Sequence, residues 1–414
     1  MTAIFLPPVM KASSANWFEP GESILSRTDL RQHYQRETET LIARHREGMP
    51  AVFPPTGETI AVLRKNLVGR CIEESVRFAQ GEIQLQSGVF SNQFAFILCA
   101  GALRGLSLFS DVDYVFAGAE AKADRIEGKS YFELLARKTQ DILNEIGLKA
   151  DNLIERFSNG KLIWLNVDDL KSGFRQIKEL NSIRHALLDH EPVERAGNEE
   201  VYQRFQAQIE PWLYKKNSLK IKNWRRMYVR QYLRKNSVKG EAWPHPSVWL
   251  RDIAIFYFLA KLYLRLIIRP DEISFPLKKT LANGSSGFYH ICEELEKRTL
   301  IAGSEKQRLY EAYEFFMQAR NEAGLIQKGI ERPLEKKTLA QLSSNLFYQS
   351  LDDFLESYRR HAQNIQASLD GLKHEIGHER WMMALITLWG AILIKAHPLL
   401  NRLFRKSAKT PMTA

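Results

Sequence analysis

The sequence is short of cysteine. Its three, Cys71, Cys99 and Cys292, lie far apart in 414 residues with no CxxC pair. That spacing excludes a disulfide framework and a cysteine-based zinc cluster, and it fits reduced thiols in a cytoplasmic protein. Internal repeats and low-complexity tracts are also missing, which excludes solenoids and propellers. Residues Met1–Pro8 offer neither a basic n-region nor a long apolar stretch, so no cleaved signal peptide is expected. Acidic residues are absent from two places, between Tyr214 and Gly240 and after Glu379.

What is present is an excess of positive charge. Lys and Arg number 59 against 48 Asp and Glu, a formal net charge of +11, which suits nucleotides, nucleic acid or a membrane surface without choosing among them. The length predicts two or three domains.

Along the chain, polar helical patterns cover Thr28–Arg46 and about Glu58–Gln80, separated by the Pro- and Gly-rich stretch 48–57. Two short apolar runs, Phe94–Ala100 and Val112–Phe116, read as buried strands. Ser130–Ile146 is an amphipathic helix with Ser130 as N-cap, Glu133 completing a capping box and Gly147 as stop. Leu153–Phe157 and Lys161–Leu165 flank Ser158, Asn159 and Gly160, a hairpin signal. From Asp168 onward the pattern is helical almost throughout. Asp252–Ile268 is apolar nearly all round and predicts a buried central helix.

The chemistry centres on Ser110, Asp111 and Asp113. On an extended segment, residues two apart share a face, so both carboxylates point the same way. Paired carboxylates repel unless a cation lies between them, an arrangement that suits Mg²⁺ bridging nucleotide phosphates. Gly101 and Ala102 end the preceding strand, where a small turn lets backbone N–H groups approach a triphosphate. Arg104 adds a charge-assisted contact. A third carboxylate is expected from a neighbouring strand: Asp168 first, with Asp151 and Glu179 as alternatives.

The ordered run AGALRGLSLFSDVDYVF over 100–116 resembles the core motif of the nucleotidyltransferase superfamily. It is most similar to the PII-protein uridylyltransferases and glutamine-synthetase adenylyltransferases. IGLK at 146–149, ALLD at 186–189, NSVK at 236–239, WLRDI at 249–253 and YEAYEFFMQAR at 310–320 resemble further family segments in the same order. The sequence departs from the family at Ala102, in the short spacing from Gly101 to Asp111, and at 240–246. The resemblance implies transfer of a nucleotidyl group from an NTP (UTP or ATP) to a protein, small-molecule or RNA hydroxyl. It places Asp111 and Asp113 on Mg²⁺ and Lys239 and Arg251 near the nucleotide. A non-catalytic nucleotide-binding module on the same fold is the alternative.

Three further stretches stay open. Between Tyr214 and Gly240 there are ten Lys or Arg, with Trp224, Tyr228 and Tyr232 on one helical face and Arg226, Arg230 and Arg234 on another. This is either a solvated basic face over an aromatic core or a phosphate-facing wall for nucleotide or RNA. Trp381–Ile394 is the most apolar stretch, and a helix of that length covers about 21 Å, short of a bilayer core. It suits a buried helix or a peripheral membrane contact beside the basic tail. His374, Glu375 and His378 match HExxH, the spacing of a zinc hydrolase, against the plainer reading of a polar helix end.

The expected fold class is α+β. An N-terminal helical segment (1–85) precedes a small mixed-sheet nucleotidyltransferase domain (86–195). A mostly helical substrate-binding domain (196–345) and C-terminal helices with an apolar, basic tail (346–414) follow.

Overall fold

The computed structural model describes residues 24–48, 56–99, 108–119, 125–126, 129–178, 182–183, 186–187, 189–213, 243–267, 287–372 and 374. The architecture is α+β, mostly helical around one small mixed sheet. Helices α1 (Arg27–Gly48) and α2 (Thr56–Ser87) come first, then strands β1 (Phe94–Cys99) and β2 (Val112–Gly118). A two-stranded ribbon, β3 (Arg125–Ile126) and β4 (Lys129–Ser130), leads into α3 (Tyr131–Glu145). Next are β5 (Ala150–Asn152), α4 (Leu153–Ser158), β6 (Leu165–Asn166), a single 3-10 turn (Val167–Asp169) and α5 (Leu170–Arg175). Strand β7 (His190–Gly197) completes the sheet. Helices α6 (Glu199–Leu213), α7 (Ser247–Ile267), α8 (Gly287–Lys297), α9 (Gly303–Ile326), α10 (Lys336–Asn345) and α11 (351–372) make the helical half.

The sheet order is β5-β2-β1-β7, with β6 also pairing β2. β1 runs antiparallel to β2 and to β7, whereas β5 and β6 lie parallel to β2. Both pair the same edge of β2, β5 at its start and β6 at its end.

Burial on both faces explains why β1 and β2 read as unbroken apolar runs. Phe94, Phe96, Leu98, Tyr114 and Phe116 share one core with α1, α2 and α3. There Phe96 stacks on Tyr114 (4.3 Å) and Phe94 on Phe116 (5.2 Å). Ala95, Ile97, Cys99, Val115 and Ala117 point the other way, into a second core with α6, α7, α9 and α11. The N-terminal helices are thus a layer of the sheet's own core.

Three local expectations are corrected. Leu153–Ser158 is a helix, not the first arm of a hairpin. Asn152 caps it by accepting from the N–H groups of Ile154 (3.1 Å) and Glu155 (3.4 Å). Asn159 closes it in the left-handed region at φ 57, so Asn159 and Gly160 serve a helix end where a hairpin turn was read. Strand β7, inside the stretch read as helical, is the second correction. Among the described residues it pairs with β1 alone, and as an edge strand there it accommodates Pro192. Third, α2 runs to Ser87, seven residues past its predicted end. The Ser130 cap holds, its hydroxyl oxygen accepting from the Phe132 N–H at 3.3 Å, while Glu133 takes the Arg137 guanidinium.

Candidate functional site

Strand register assembles the site at the start of β2. Asp113 is half-buried and alternates with Val112 and Tyr114, so it faces the helical half together with Val115 and Ala117. Its register partner on β5 is Asp151. Carrying the β1–β2 register on by one residue sets Cys99 across from Asp113, and Cys99 pairs in turn with His190 on β7. One row across four strands therefore reads Asp151, Asp113, Cys99, His190. Asp111 sits just before the strand and is exposed; Ser110 is buried.

Asp189 stands next to this row, immediately before His190, and is only 2% exposed. Tyr257 of α7 donates its hydroxyl to Asp189 Oδ1 at 2.7 Å. Burial pushes the Cys99 thiol well above its ordinary range, and the charges of Asp113 and Asp189 push it the same way. Both carboxylates therefore act on the same sulfur. Next in the row, His190 Nδ1 lies 3.1 Å from the Tyr202 hydroxyl, which is itself buried.

The turn leading into Asp111 is anchored from α9. The Leu108 N–H donates to Asn321 Oδ1 (3.0 Å), and the Phe109 ring lies so close over Gly324 that a Cβ there would come within 2.4 Å of it. The Val112 N–H donates to the Lys149 carbonyl at 2.8 Å and fixes the start of the strand. The helical half thus touches the site at two points, α9 at the turn and α7 at Asp189.

Asp168 is not part of this group. It follows β6, which pairs with the end of β2 at Ala117 and Gly118, so about five strand residues, roughly 17 Å, separate it from Asp113. There it pairs with Arg204, half-exposed, and its N–H donates to Asn166 Oδ1. The misread hairpin is the cause: drawn as the arm of a β-ribbon, Lys161–Leu165 would have carried Asp168 toward the wrong end. Of the alternatives, Asp151 is adjacent to Asp113 and ion-paired with Arg156 at 2.6 Å, and Glu179 lies outside the described residues.

Arg251 is exposed in the second turn of α7, six residues or about 9 Å of helix from Tyr257. Its guanidinium is 3.9 Å from Glu331, which also accepts from Arg320 Nε at 2.9 Å. Burial alone would raise the Glu331 carboxyl, but the charge and hydrogen bond of Arg320 and the charge of Arg251 help to outweigh it and hold the group below its usual range.

Gly101, Ala102, Arg104 and Lys239 lie outside the described residues, as do the 214–240 segment, Glu375, His378 and the Trp381–Ile394 stretch. His374 is exposed. Among the described residues no group of three or more His, Cys, Asp and Glu is arranged to hold a metal ion, and no helix is long and apolar enough to cross a membrane. Asp189 is the residue that sequence reasoning passed over. It was quoted only within the ALLD segment, because its neighbourhood depends on β7 being a strand. Burial along β7 falls at His190, Val193 and Ala196, every third residue, so the segment carries no period-two strand signal.

No known protein-family model matches the chain, and no curated protein is significantly similar to it.

Proposed function

We infer that the chain is a nucleotidyltransferase acting on an NTP, UTP or ATP, with a hydroxyl of a protein, small molecule or RNA as acceptor. The observation that carries the reading is the placing of Asp111 and Asp113 at one end of a small mixed sheet, with Asp151 in register with Asp113 on the neighbouring strand and Ser110 in the turn that enters it. Mg²⁺ fits this donor set as a substrate-completed ion. It is commonly held by one or two carboxylates, with phosphate oxygens and water filling the rest of its shell. Two protein carboxylates without a full cage suit that pattern. Asp111 and Asp113 would hold it.

When bound, the ion would neutralise phosphate charge and align the α-phosphate. Ser110 and the residues 101–104 would bind the phosphates. In the transfer, the acceptor hydroxyl oxygen forms a bond to the α-phosphorus, the bond from that phosphorus to the bridging oxygen breaks, and pyrophosphate leaves. The hydroxyl proton passes to a site carboxylate.

The test is binding of the four NTPs with and without Mg²⁺, in the native chain and in Asp111→Asn/Asp113→Asn. Mg²⁺-dependent binding of one NTP, reduced at least tenfold in the double variant, is expected. Because the cage is incomplete without substrate, Mg²⁺ alone should bind only weakly. Failure of every NTP to bind would overturn the reading. Tight binding with no turnover on any acceptor would favour the non-catalytic module instead.

A further inference from the structure

We propose that Asn321 is a positioning residue for the site: from α9, its carboxamide oxygen holds the turn that presents Ser110 and Asp111 to the nucleotide and its Mg²⁺. The inference rests on the nucleotidyltransferase reading and assigns a role to a side chain 213 residues away from the backbone it holds.

Three residues, Phe109, Ser110 and Asp111, lie between two pinned amides. On one side the Leu108 N–H donates to Asn321 Oδ1 (3.0 Å), and on the other the Val112 N–H donates to the Lys149 carbonyl (2.8 Å). Phe109 is seated as well, its ring lying over Gly324. Gly324 follows Asn321 by three residues, so the two are neighbours on the surface of α9 and clamp the same piece of chain. With both ends and the first side chain held, the backbone that carries Ser110 and Asp111 has little freedom left. The clamp itself does not yield, because Asn321 is fully buried, as are Ala319 and Ala323 around it. The asparagine also has a cost: its Nδ2 is buried with no hydrogen-bond partner among the described residues, and a stranded donor destabilises the fold. What offsets that cost is the oxygen that the turn uses. The adjacent Glu322 serves other elements. His45 of α1 lies 3.6 Å from its Oε2, and Asn345 of α10 donates to its Oε1. A purely structural role would make the two positions equivalent, both being buried polar ties between α9 and its neighbours. A positioning role separates them, because Asn321 holds the turn whereas Glu322 holds α1 and α10. Misplacing the groups that meet a substrate weakens its binding even where the fold survives.

The experiment uses the full chain as native, Asn321→Ala, the milder Asn321→Ser and, as control, His45→Gln, which removes a partner of Glu322. Binding of mant-labelled ATP and UTP is titrated with and without MgCl₂, and urea unfolding is followed in parallel. Both Asn321 variants should bind the nucleotide that the native chain prefers about tenfold more weakly, whereas His45→Gln should lower the urea midpoint and keep the affinity within about twofold. The serine variant carries the test if the alanine variant does not fold. Native affinity in a folded Asn321 variant, whatever its urea midpoint, overturns the assignment and leaves the nucleotidyltransferase reading intact. An equal loss of affinity in His45→Gln overturns it as well, since the effect would then be one of stability alone. Absence of Mg²⁺-dependent NTP binding in the native chain overturns both.

Discussion

At the scale of single residues, Ser110, Asp111 and Asp113 were legible because their chemistry is local: two carboxylates two apart on a strand need no knowledge of the fold. The row that sets Asp113 between Asp151 and Cys99 and reaches His190 was not legible, because it exists only once β7 pairs with β1. The contacts that aim the motif are non-local too. Gly324 is an unremarked helix position in sequence, yet it receives the Phe109 ring two residues before Asp111. Gly324→Ala would drive a methyl to 2.4 Å from that ring. Phe109 cannot retreat easily, because the adjacent Leu108 N–H is bonded to Asn321, which is fully buried. Overpacking of this kind costs about 1–3 kcal/mol. Urea unfolding should report that loss, and Mg²⁺-dependent nucleotide binding should weaken because the turn moves. Stability and binding both equal to the native values would show that the Phe109 contact has no hold on the site.

At the scale of elements, long periodic segments declared themselves: α1, the two central strands, α3 and the buried α7 all lie within a few residues of their predicted spans, while α2 runs seven residues beyond its expected end. The misreadings fell where one short signal serves two structures. Asn-Gly needs positive φ in a hairpin turn and also at a helix C-terminus, and only the Asn152 cap upstream decides between them. Asn152 is 3% exposed, caps α4 and donates from Nδ2 to the Ile163 carbonyl at 2.8 Å, joining both sides of the disputed segment. Asn152→Ala should therefore cost more than a surface cap, about 2 kcal/mol or above. Asn159→Gly should be neutral or slightly stabilising, since glycine accepts φ 57 without strain. The hairpin reading makes no such contrast, so equal effects at the two positions in denaturant unfolding would revive it. Strand β7 escaped notice for a related reason: with β1 as its one neighbour among the described residues, it carries charge and a proline where a central strand would not.

At the scale of the whole molecule, the α+β class and the basic balance were open to reading, but the two cores on either face of the sheet and the linkage of the halves were not. That linkage makes stability depend on two buried histidines. His245 precedes α7, and its Nδ1 accepts from the Ser247 N–H at 3.2 Å and lies 2.9 Å from the Ser247 hydroxyl. An imidazole that accepts at Nδ1 there must be neutral, and protonation would remove the acceptor at the start of the helix that holds Tyr257. His361 in α11 stacks on Phe315 at 4.7 Å. Burial depresses both groups, each to about 4 from an ordinary value near 6.5. The unfolded chain thus takes up these protons first. Stability is fully present above about pH 6.5 and is lost as pH falls toward 4, by an upper value of about 3 kcal/mol for each histidine. The lowered carboxyls of Glu322 and Glu331 act in the same direction but only below the ordinary carboxylate value of 4.5, so they leave the histidine window clear. Urea midpoints taken between pH 7 and 4.5 should fall steadily, and His361→Phe, which keeps the stacked ring and removes the titration, should flatten the slope by about half. A native profile that is level across this range would mean that both imidazoles accept a proton in the folded chain as readily as in water, and that the start of α7 does not depend on the His245 acceptor.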